Sequence, residues 1–376
     1  MSLDPVKGHV SGSVVESLTE SSSSKAGGNL ILYSLYDWQN IPTIHLSAIG
    51  LPILPYKFEH GILIVKMMTR PRPGPPPFDH PDADVILRSS DLEPVDFRVF
   101  KLLLSLSSPF FSDIFTLPQP IPSNPSSFYS DEYQESSKGL PVIQMSEDKE
   151  TLTLLLGLCF PISAHETPRI SSLQEIQKVA EAAVKFEMDG IVRYLQRELV
   201  APRFIESQPV RVFAIAYRYG WDAEAKKAAR HTLRQPVDTP FVAELELISG
   251  ATLFRLREYH RVCGEVASSR ARLQPALSEF DDAWTWISCK MCPSAWKSRS
   301  VNFPEARKWW VDWIEDVAEA LKLKPWGETV RNWDLRNKAL DHAAGCPQCN
   351  LHAREDLEAF SQILAVEIER DISSVS

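Results

Sequence analysis

Two pairs of cysteines are the residues of this 376-residue chain whose type and spacing could do chemistry. The first pair, in CKMC, is Cys289 and Cys292, and the second, in CPQC, is Cys346 and Cys349. Each pair can offer two thiolates from one tight turn, and two such turns complete the tetrahedral set of four sulfurs that Zn²⁺ prefers. The four cysteines therefore predict one structural zinc site.

The segment between the two pairs, residues 293–345, is longer than the zinc-ribbon gap of roughly 15–20 residues. A helix pair folded within it would bring the turns together. Two other interpretations stay open. A thioredoxin-like redox pair is disfavoured because no strand is predicted to lead into either CxxC. Structural disulfides are disfavoured in a reducing compartment. Unliganded buried thiols are the simpler alternative to a zinc site.

Other candidate ligands and thiols lie elsewhere in the chain. His342 and His352 flank the second pair and are reserve ligands for the same ion. Cys159 and Cys263, the latter close to His260 in sequence, are expected to be core thiols.

Tryptophan is concentrated around the cysteine pairs, because eight of the ten tryptophans lie between residues 284 and 333. Such crowding predicts a compact aromatic core and not a surface. A helix is predicted from Pro304 to Leu323 and another from about Leu351, each with one apolar face. We expect residues 266–376 to form a helical C-terminal domain.

Composition and motifs exclude several classes of function. A net charge of −9 and a pI near 5.6 argue against general nucleic-acid binding. The chain has no GxGxxG, P-loop, GxSxG or HExxH motif, and a four-thiolate zinc leaves no position open for substrate, so we do not expect an enzyme. No apolar run reaches about 18 residues and no signal-peptide core is present, which predicts a cytoplasmic or nuclear protein without membrane association.

Two further regions complete the predicted organisation. Residues 1–80 are rich in Ser, Gly and Pro and read as a flexible, atypical segment. Residues 201–265 predict a helical extension, with helices beginning at Pro209, at Asp222 and near Glu244. Their short connections favour an antiparallel stack.

Residues 82–200 combine short strands with helices. Strands are predicted near 84–88, 94–98 and 140–144, and helices begin near Val99 and Ser108. Ser108 has the cap chemistry of a helix start, and Pro109 fits its first turn because its missing N–H is not needed there. The spacing of the apolar residues predicts that the first helix buries one face, formed by Val99, Leu102, Leu103 and Leu106.

This order of elements resembles a BTB/POZ domain, most closely those of the expanded set in mushroom-forming fungi. The resemblance rests on ADVIL at 83–87, SSPFF at 107–111, LPVIQMSED at 140–148 and the closing Phe160-Pro161. It implies an α+β fold for residues 81–200, a small sheet covered by helices, followed by the all-α extension and the C-terminal helical domain. It also implies that fungal members of the group share the C-terminal CxxC pairs.

The resemblance implies work as a protein–protein interaction module. In concrete form, the domain would be a substrate adaptor that docks a cullin-type ubiquitin-ligase scaffold, and Tyr133-Gln134-Glu135 fits the hydrophobic-x-Glu motif of cullin binders. A second copy of the chain is another partner that such domains take. The alternative function is a transcriptional or chromatin regulator assembled through the same domain. The acidic residues on the predicted helix after Pro304 make phosphate contact unfavourable, so nucleic acid is not an expected partner.

Overall fold

The computed structural model of the chain describes residues 70–117, 139–161, 166–238, 240–273, 284–294 and 306–375, together with a few short strands between and before them. Two antiparallel strand pairs lie near the N-terminus: β1 (Leu32–Ser34) pairs with β3 (Ile62–Ile64), and β2 (Ile53–Leu54) pairs with β4 (Lys66–Met67). Most of the predicted flexible segment, and Tyr133-Gln134-Glu135, lie outside the described residues. Contacts divide the chain into two compact units, residues 1–101 with 120–150, and residues 102–119 with 151–376.

The first unit is built on a sheet of five strands in the described part of the chain. Its strands are β5 (Arg72–Pro73), β6 (Val85–Arg88), β7 (Val95–Val99), β8 (Ser136–Ser137) and β9 (Leu140–Gln144), in the spatial order β5-β7-β6-β9-β8. β6 is antiparallel to β7 and parallel to β9. Every residue of β6 is buried, which explains its unbroken apolar run of Val, Ile and Leu before Arg88. These strands agree with the three predicted from sequence.

Polar side chains fix the hairpin of β6 and β7. Arg88 lies opposite Asp96 in the register, and its guanidinium donates to both carboxylate oxygens at 2.6 and 3.1 Å. The pair is almost fully buried, which costs the desolvation of both charges. Its two-point hydrogen bonding offsets that cost. At the end of the hairpin, the Asp84 carboxylate accepts the backbone N–H of Lys101 at 2.7 Å and caps the helix that follows.

Helices make up most of the rest of the described chain. They are α1 (Lys101–Ser107), α2 (Pro109–Thr116), α3 (Lys149–Cys159), α4 (Leu173–Lys185), α5 (Asp189–Leu199), α6 (Pro202–Ile205), α7 (Pro209–Arg218), α8 (Asp222–Thr232), α9 (Gly250–Arg272), α10 (Thr285–Ser288), α11 (Lys308–Leu323), α12 (Trp333–Ala344) and α13 (Cys349–Ser373). Short 3₁₀ turns span Ala243–Leu247 and Gly327–Thr329. The molecule is therefore α+β. No helix within the described residues has the length and apolar character needed to cross a membrane.

The helix starts follow local capping rules. The Ser108 hydroxyl accepts the N–H of Phe111 at 3.1 Å and donates to the carbonyl of Phe186, so it caps α2 and ties it to the end of α4. Ser172 and Ser249 accept the N–H three residues on in α4 and α9 in the same way. Phe111, in the first turn of α2, is buried.

The buried face predicted for the first helix is wrong. Leu102 and Leu106 are exposed by 68% and 77%, and the buried residue of α1 is Leu104. Val99 is the last residue of β7, and the helix that follows carries leucines on several sides, so its apolar pattern does not decide which side packs against the protein. Leu103 is half-buried.

Two helices of the C-terminal half also differ from expectation. The helix predicted to begin near Glu244 is a 3₁₀ turn followed by α9, which starts after the Ser249 cap and continues to Arg272. Residue 265, where a domain boundary was predicted, lies inside that helix. α12 is the second helix of the pair expected between the two CxxC motifs, but its bounds were not predicted.

Candidate metal centre

The two CxxC turns meet in the folded chain. The sulfurs of Cys289, Cys292, Cys346 and Cys349 all lie within 4.8 Å of one another. Cys289 Sγ is 3.8 Å from Cys346 Sγ, and Cys292 Sγ is 3.7 Å from Cys349 Sγ. Sulfurs bound to one zinc at about 2.3 Å lie about 3.8 Å apart, the edge of the tetrahedron. The predicted convergence is confirmed, and the four cysteines lie close enough together to bind a metal ion such as zinc.

Short backbone links hold the first turn. It follows α10 and leads into an isolated antiparallel bridge between Ser294 and Arg307, just before α11. The N–H of Arg307 donates to the carbonyl of Trp286 and the N–H of Lys308 to that of Pro293, both at 2.9 Å. The turn is therefore fastened to the start of α11 on both sides of its cysteines.

The second turn joins α12 to α13. The N–H of Cys346 donates to the carbonyl of Ala343 at 3.0 Å, which continues the end of α12. The N–H of Asn350 donates to the carbonyl of Cys346 at 2.9 Å, and Cys349 is the first residue of α13. α11 and α12 thus form the helix pair that spans the long gap between the two CxxC motifs.

An aromatic core lies in contact with the site. Trp286, Trp310 and Trp313 are fully buried and surround Phe360, with ring centroids 5.4 to 6.0 Å from it. Trp286 also stacks on Trp310 at 5.3 Å. Three of the cysteines belong to the same buried cluster of residues. Five of the eight clustered tryptophans are buried in this core, as predicted, whereas Trp333 is 62% exposed.

The backbone N–H groups at the start of α13 stabilise the thiolate form of Cys346. The backbone N–H of Cys349 lowers the pKa of the Cys346 thiol to about 7, with the N–H of Gln348 acting in the same direction, although burial opposes them. Backbone N–H groups at a helix N-terminus stabilise negative charge in this way. On the other turn, the N–H of Met291 donates to Cys289 Sγ at 3.4 Å.

Two of the other thiols are held in the neutral form. Burial raises the pKa of the Cys292 thiol to about 11. Burial and the neighbouring cysteines raise the pKa of Cys349, while the indole N–H of Trp309 acts in the opposite direction. A bound cation would displace these protons, so metal binding here releases protons and weakens as the pH falls.

The remaining sequence candidates lie outside the cluster. His342 and His352 are exposed, and the group of potential ligands found among the described residues consists of the four cysteines alone. Cys263 is buried in the core, as expected. Cys159 is half-buried and donates to the carbonyl of Leu155 at 3.4 Å, and burial raises its pKa to about 11.

Polar contacts that sequence reasoning missed support the first turn. The guanidinium of Arg307 donates to the carbonyl of Cys292 at 3.3 Å and to that of Ile287 at 3.5 Å. The Asp356 carboxylate of α13 accepts the N–H of Thr285 at 2.8 Å and so caps α10. No spacing rule connects these residues to the cysteines, because the contacts arise only from the tertiary fold.

The donor set suits a structural ion. Four sulfurs at tetrahedral spacing, three of them buried, match the preference of zinc for thiolates and would close its coordination sphere. The separations of up to 4.8 Å require shifts of about 1 Å for the sulfurs to share one ion.

Comparison of the chain with models of protein families and with curated proteins found no match to either. The BTB/POZ resemblance therefore stays an inference from its motifs, and the function has to be argued from the residues themselves.

Proposed function

We propose that this chain is a protein-interaction adaptor. Its BTB/POZ-like region docks a cullin-type ubiquitin-ligase scaffold, other parts of the chain hold the client protein, and one structural zinc ion bound by the four cysteines stabilises the C-terminal helices. The proposal of an adaptor is based on an exposed apolar surface. The proposal of a zinc ion is based on the distances between the four sulfurs.

The observation that carries the adaptor is the exposed pair of leucines on α1. Leu102 and Leu106 are separated by one helical turn, so both point to the same side of the helix, and they are exposed by 68% and 77%. Leu117, directly after α2, is exposed by 62%. Large apolar side chains grouped on a surface mark sites of protein–protein contact.

The strand and helix order supports the adaptor as well. β6, β7, α1, α2, β9 and α3 follow one another as the resemblance implies, and the Ser108-Pro109 start of α2 has the expected cap. The parallel pairing of β6 with β9 requires the chain to cross over between them, and α1 and α2 lie in that crossover.

The charges on α11 do not favour the alternative of a DNA-binding regulator. Asp312, Asp316 and Glu319 lie on the outer face of the helix and pair with Lys308, Lys338 and Lys322. A surface of alternating, mutually paired charges has no excess of positive charge with which to displace counterions from phosphates.

The adaptor is tested with a double variant, Leu102→Asp with Leu106→Asp, in the tagged full-length chain. We expect wild type to retain a cullin subunit from native extract, identified by mass spectrometry, and the double variant to lose it. Because both side chains are exposed, the melting temperature should stay within a few degrees of wild type. Leu323→Asp, an equally exposed leucine at the end of α11, is the matched control and should retain the partner.

Two results would contradict the adaptor: wild type that retains no stable protein partner, or a double variant that retains the cullin as well as wild type does. Sedimentation of the purified chain separates a further outcome. If the double substitution converts a dimer into a monomer without affecting a cullin, the leucines serve self-association and the docking surface lies elsewhere.

A further inference from the structure

A side chain located between two of the cysteines connects the two CxxC turns. Gln348 is the third residue of CPQC, and its amide reaches the backbone of CKMC. Its Oε1 accepts the N–H of Lys290 at 3.1 Å, and its Nε2 donates to the carbonyl of Ser288 at 3.5 Å. Ser288 and Lys290 are the neighbours of Cys289 on either side, so one amide holds the backbone before and after a single ligand.

The geometry imitates a β-ladder. In an extended pair, one residue offers its N–H and its C=O to the peptide groups of the facing strand. Here the Gln348 amide takes the place of that facing peptide group. A two-point contact of this kind fixes the distance and also the orientation of the backbone that carries Cys289, which a single hydrogen bond would not do.

The first turn depends on such contacts. Arg307 holds its far end at the carbonyl of Cys292, and Asp356 holds the start of α10. Neither residue belongs to the second turn. Apart from the contacts between sulfurs, the hydrogen bonds described between CPQC and the backbone around Cys289 are the two of the Gln348 amide, one to Lys290 and one to Ser288.

We propose that Gln348 is the positioning residue of the metal centre: it aligns Cys289 with Cys346 before the ion arrives and so sets the affinity for zinc. This inference rests on the proposed zinc site and adds a residue that no cysteine-spacing rule would select. Polar groups that orient metal ligands typically change metal affinity by about 10–100-fold when they are removed. We expect Gln348→Ala to weaken zinc binding by a factor in that range.

The test measures zinc affinity in the full-length protein by competition with a chromophoric chelator, for wild type, Gln348→Ala and Gln362→Ala. Gln362 is an exposed glutamine of α13, the helix that Gln348 directly precedes, and its amide contacts Glu358, so it controls for the loss of an exposed amide near this helix. Gln348 is exposed, and the metal-free melting temperatures of all three proteins should therefore agree within a few degrees.

Cobalt supplies a readout that a general loss of stability would not change. Co²⁺ bound by four thiolates is tetrahedral and coloured, and wild type and Gln362→Ala should give the same spectrum. Gln348→Ala should require more Co²⁺ to saturate, with bands shifted or weakened by a less regular site. A Gln348→Ala protein with wild-type zinc affinity and a wild-type cobalt spectrum would overturn the inference. Wild type that binds neither metal would instead overturn the zinc site.

Discussion

At the scale of single residues, His260 shows how burial makes stability depend on pH. It is 2% exposed on α9, and its Nε2 lies 3.0 Å from the carbonyl of Gln235, where the neutral Nε2–H form can donate. Burial lowers the pKa of the ring below its ordinary value, although the hydrogen bond to Gln235 and the charge of Asp238 act in the other direction. The folded protein therefore keeps this imidazole neutral where the unfolded chain would protonate it.

The sign of the pH effect follows from this difference. Below about pH 6.5 the unfolded state binds a proton at His260 that the folded state does not, so the free energy of unfolding decreases as the pH falls toward the lowered pKa. We expect His260→Gln to show a smaller loss of stability between about pH 7 and pH 5 than wild type. Urea unfolding of both proteins at the two pH values measures this loss in the free energy of unfolding.

His342→Gln is the control for this comparison, because His342 is exposed on α12. Burial also lowers the pKa of His231, but that residue is unchanged in both proteins and does not affect their difference. If His260→Gln and wild type lost the same free energy on acidification, burial of His260 would not be the source of the pH dependence.

At the scale of elements, local chemistry predicted helix starts better than helix faces. Local chemistry marked the starts of α2 and α7 correctly at Ser108, Pro109 and Pro209, since a cap or a first-turn proline acts within a few residues. Asp222 also marks a start, but as the first residue of α8 and not as its N-cap, which is Trp221. The buried face of α1 was missed because this short helix carries leucines on several sides, at positions 102, 103, 104 and 106, and the pattern does not decide which of them is buried. The bounds of α12 were not predicted because its buried residues are Ala339 and Ala343, which leave no apolar stripe in the sequence.

The metal centre shows the same contrast between features that a local sequence pattern predicts and features that depend on the tertiary fold. Spacing alone identified the four cysteines that converge, since CxxC is a local pattern that can be recognised without a structure. The contacts of Gln348, Arg307 and Asp356 join residues up to 71 positions apart, and ordinary glutamines, arginines and aspartates carry no local mark of such a role.

The packing of α9 against α11 gives a prediction at this scale. A Cβ at Gly264 would lie 2.8 Å from the carbonyl oxygen of Lys322 and 3.2 Å from its Cα, so the two helices would have to separate. Overpacking of this kind costs about 1–3 kcal/mol, so Gly264→Ala should lower the free energy of unfolding. The gain of about 1 kcal/mol in helix propensity is too small to reverse the effect. Urea unfolding at neutral pH measures the change.

Gly250→Ala tests the same substitution without the packing. Gly250 begins the same helix, and a Cβ there would meet no atom within 4 Å. That variant should be neutral or slightly more stable than wild type. Equal stability changes in the two variants would mean that close packing at Gly264 does not limit the helix pair.

At the scale of the whole molecule, the metal centre is part of a larger core. Cys289, Cys346 and Cys349 belong to one buried cluster with the tryptophans and with residues from the second half of α9. The sheet of β5 to β9 belongs to the other compact unit. Loss of the ion should accordingly loosen the C-terminal helices and leave the sheet intact.

Hydrogen exchange resolved by region tests that expectation. Removing zinc with a chelator eliminates a ligand that binds the folded state, so the regions it joins should open more often. We expect faster exchange in residues 284–294 and 340–357, extending into α11, while peptides covering Val85–Arg88 and Val95–Val99 keep their protection. Cys292→Ser should give the same pattern without a chelator, and Cys159→Ser, which alters a thiol outside the cluster, should leave it unchanged. Faster exchange of the sheet to the same degree would show that the ion stabilises the whole chain, and unchanged exchange after the loss of bound zinc would show that the ion has no structural role.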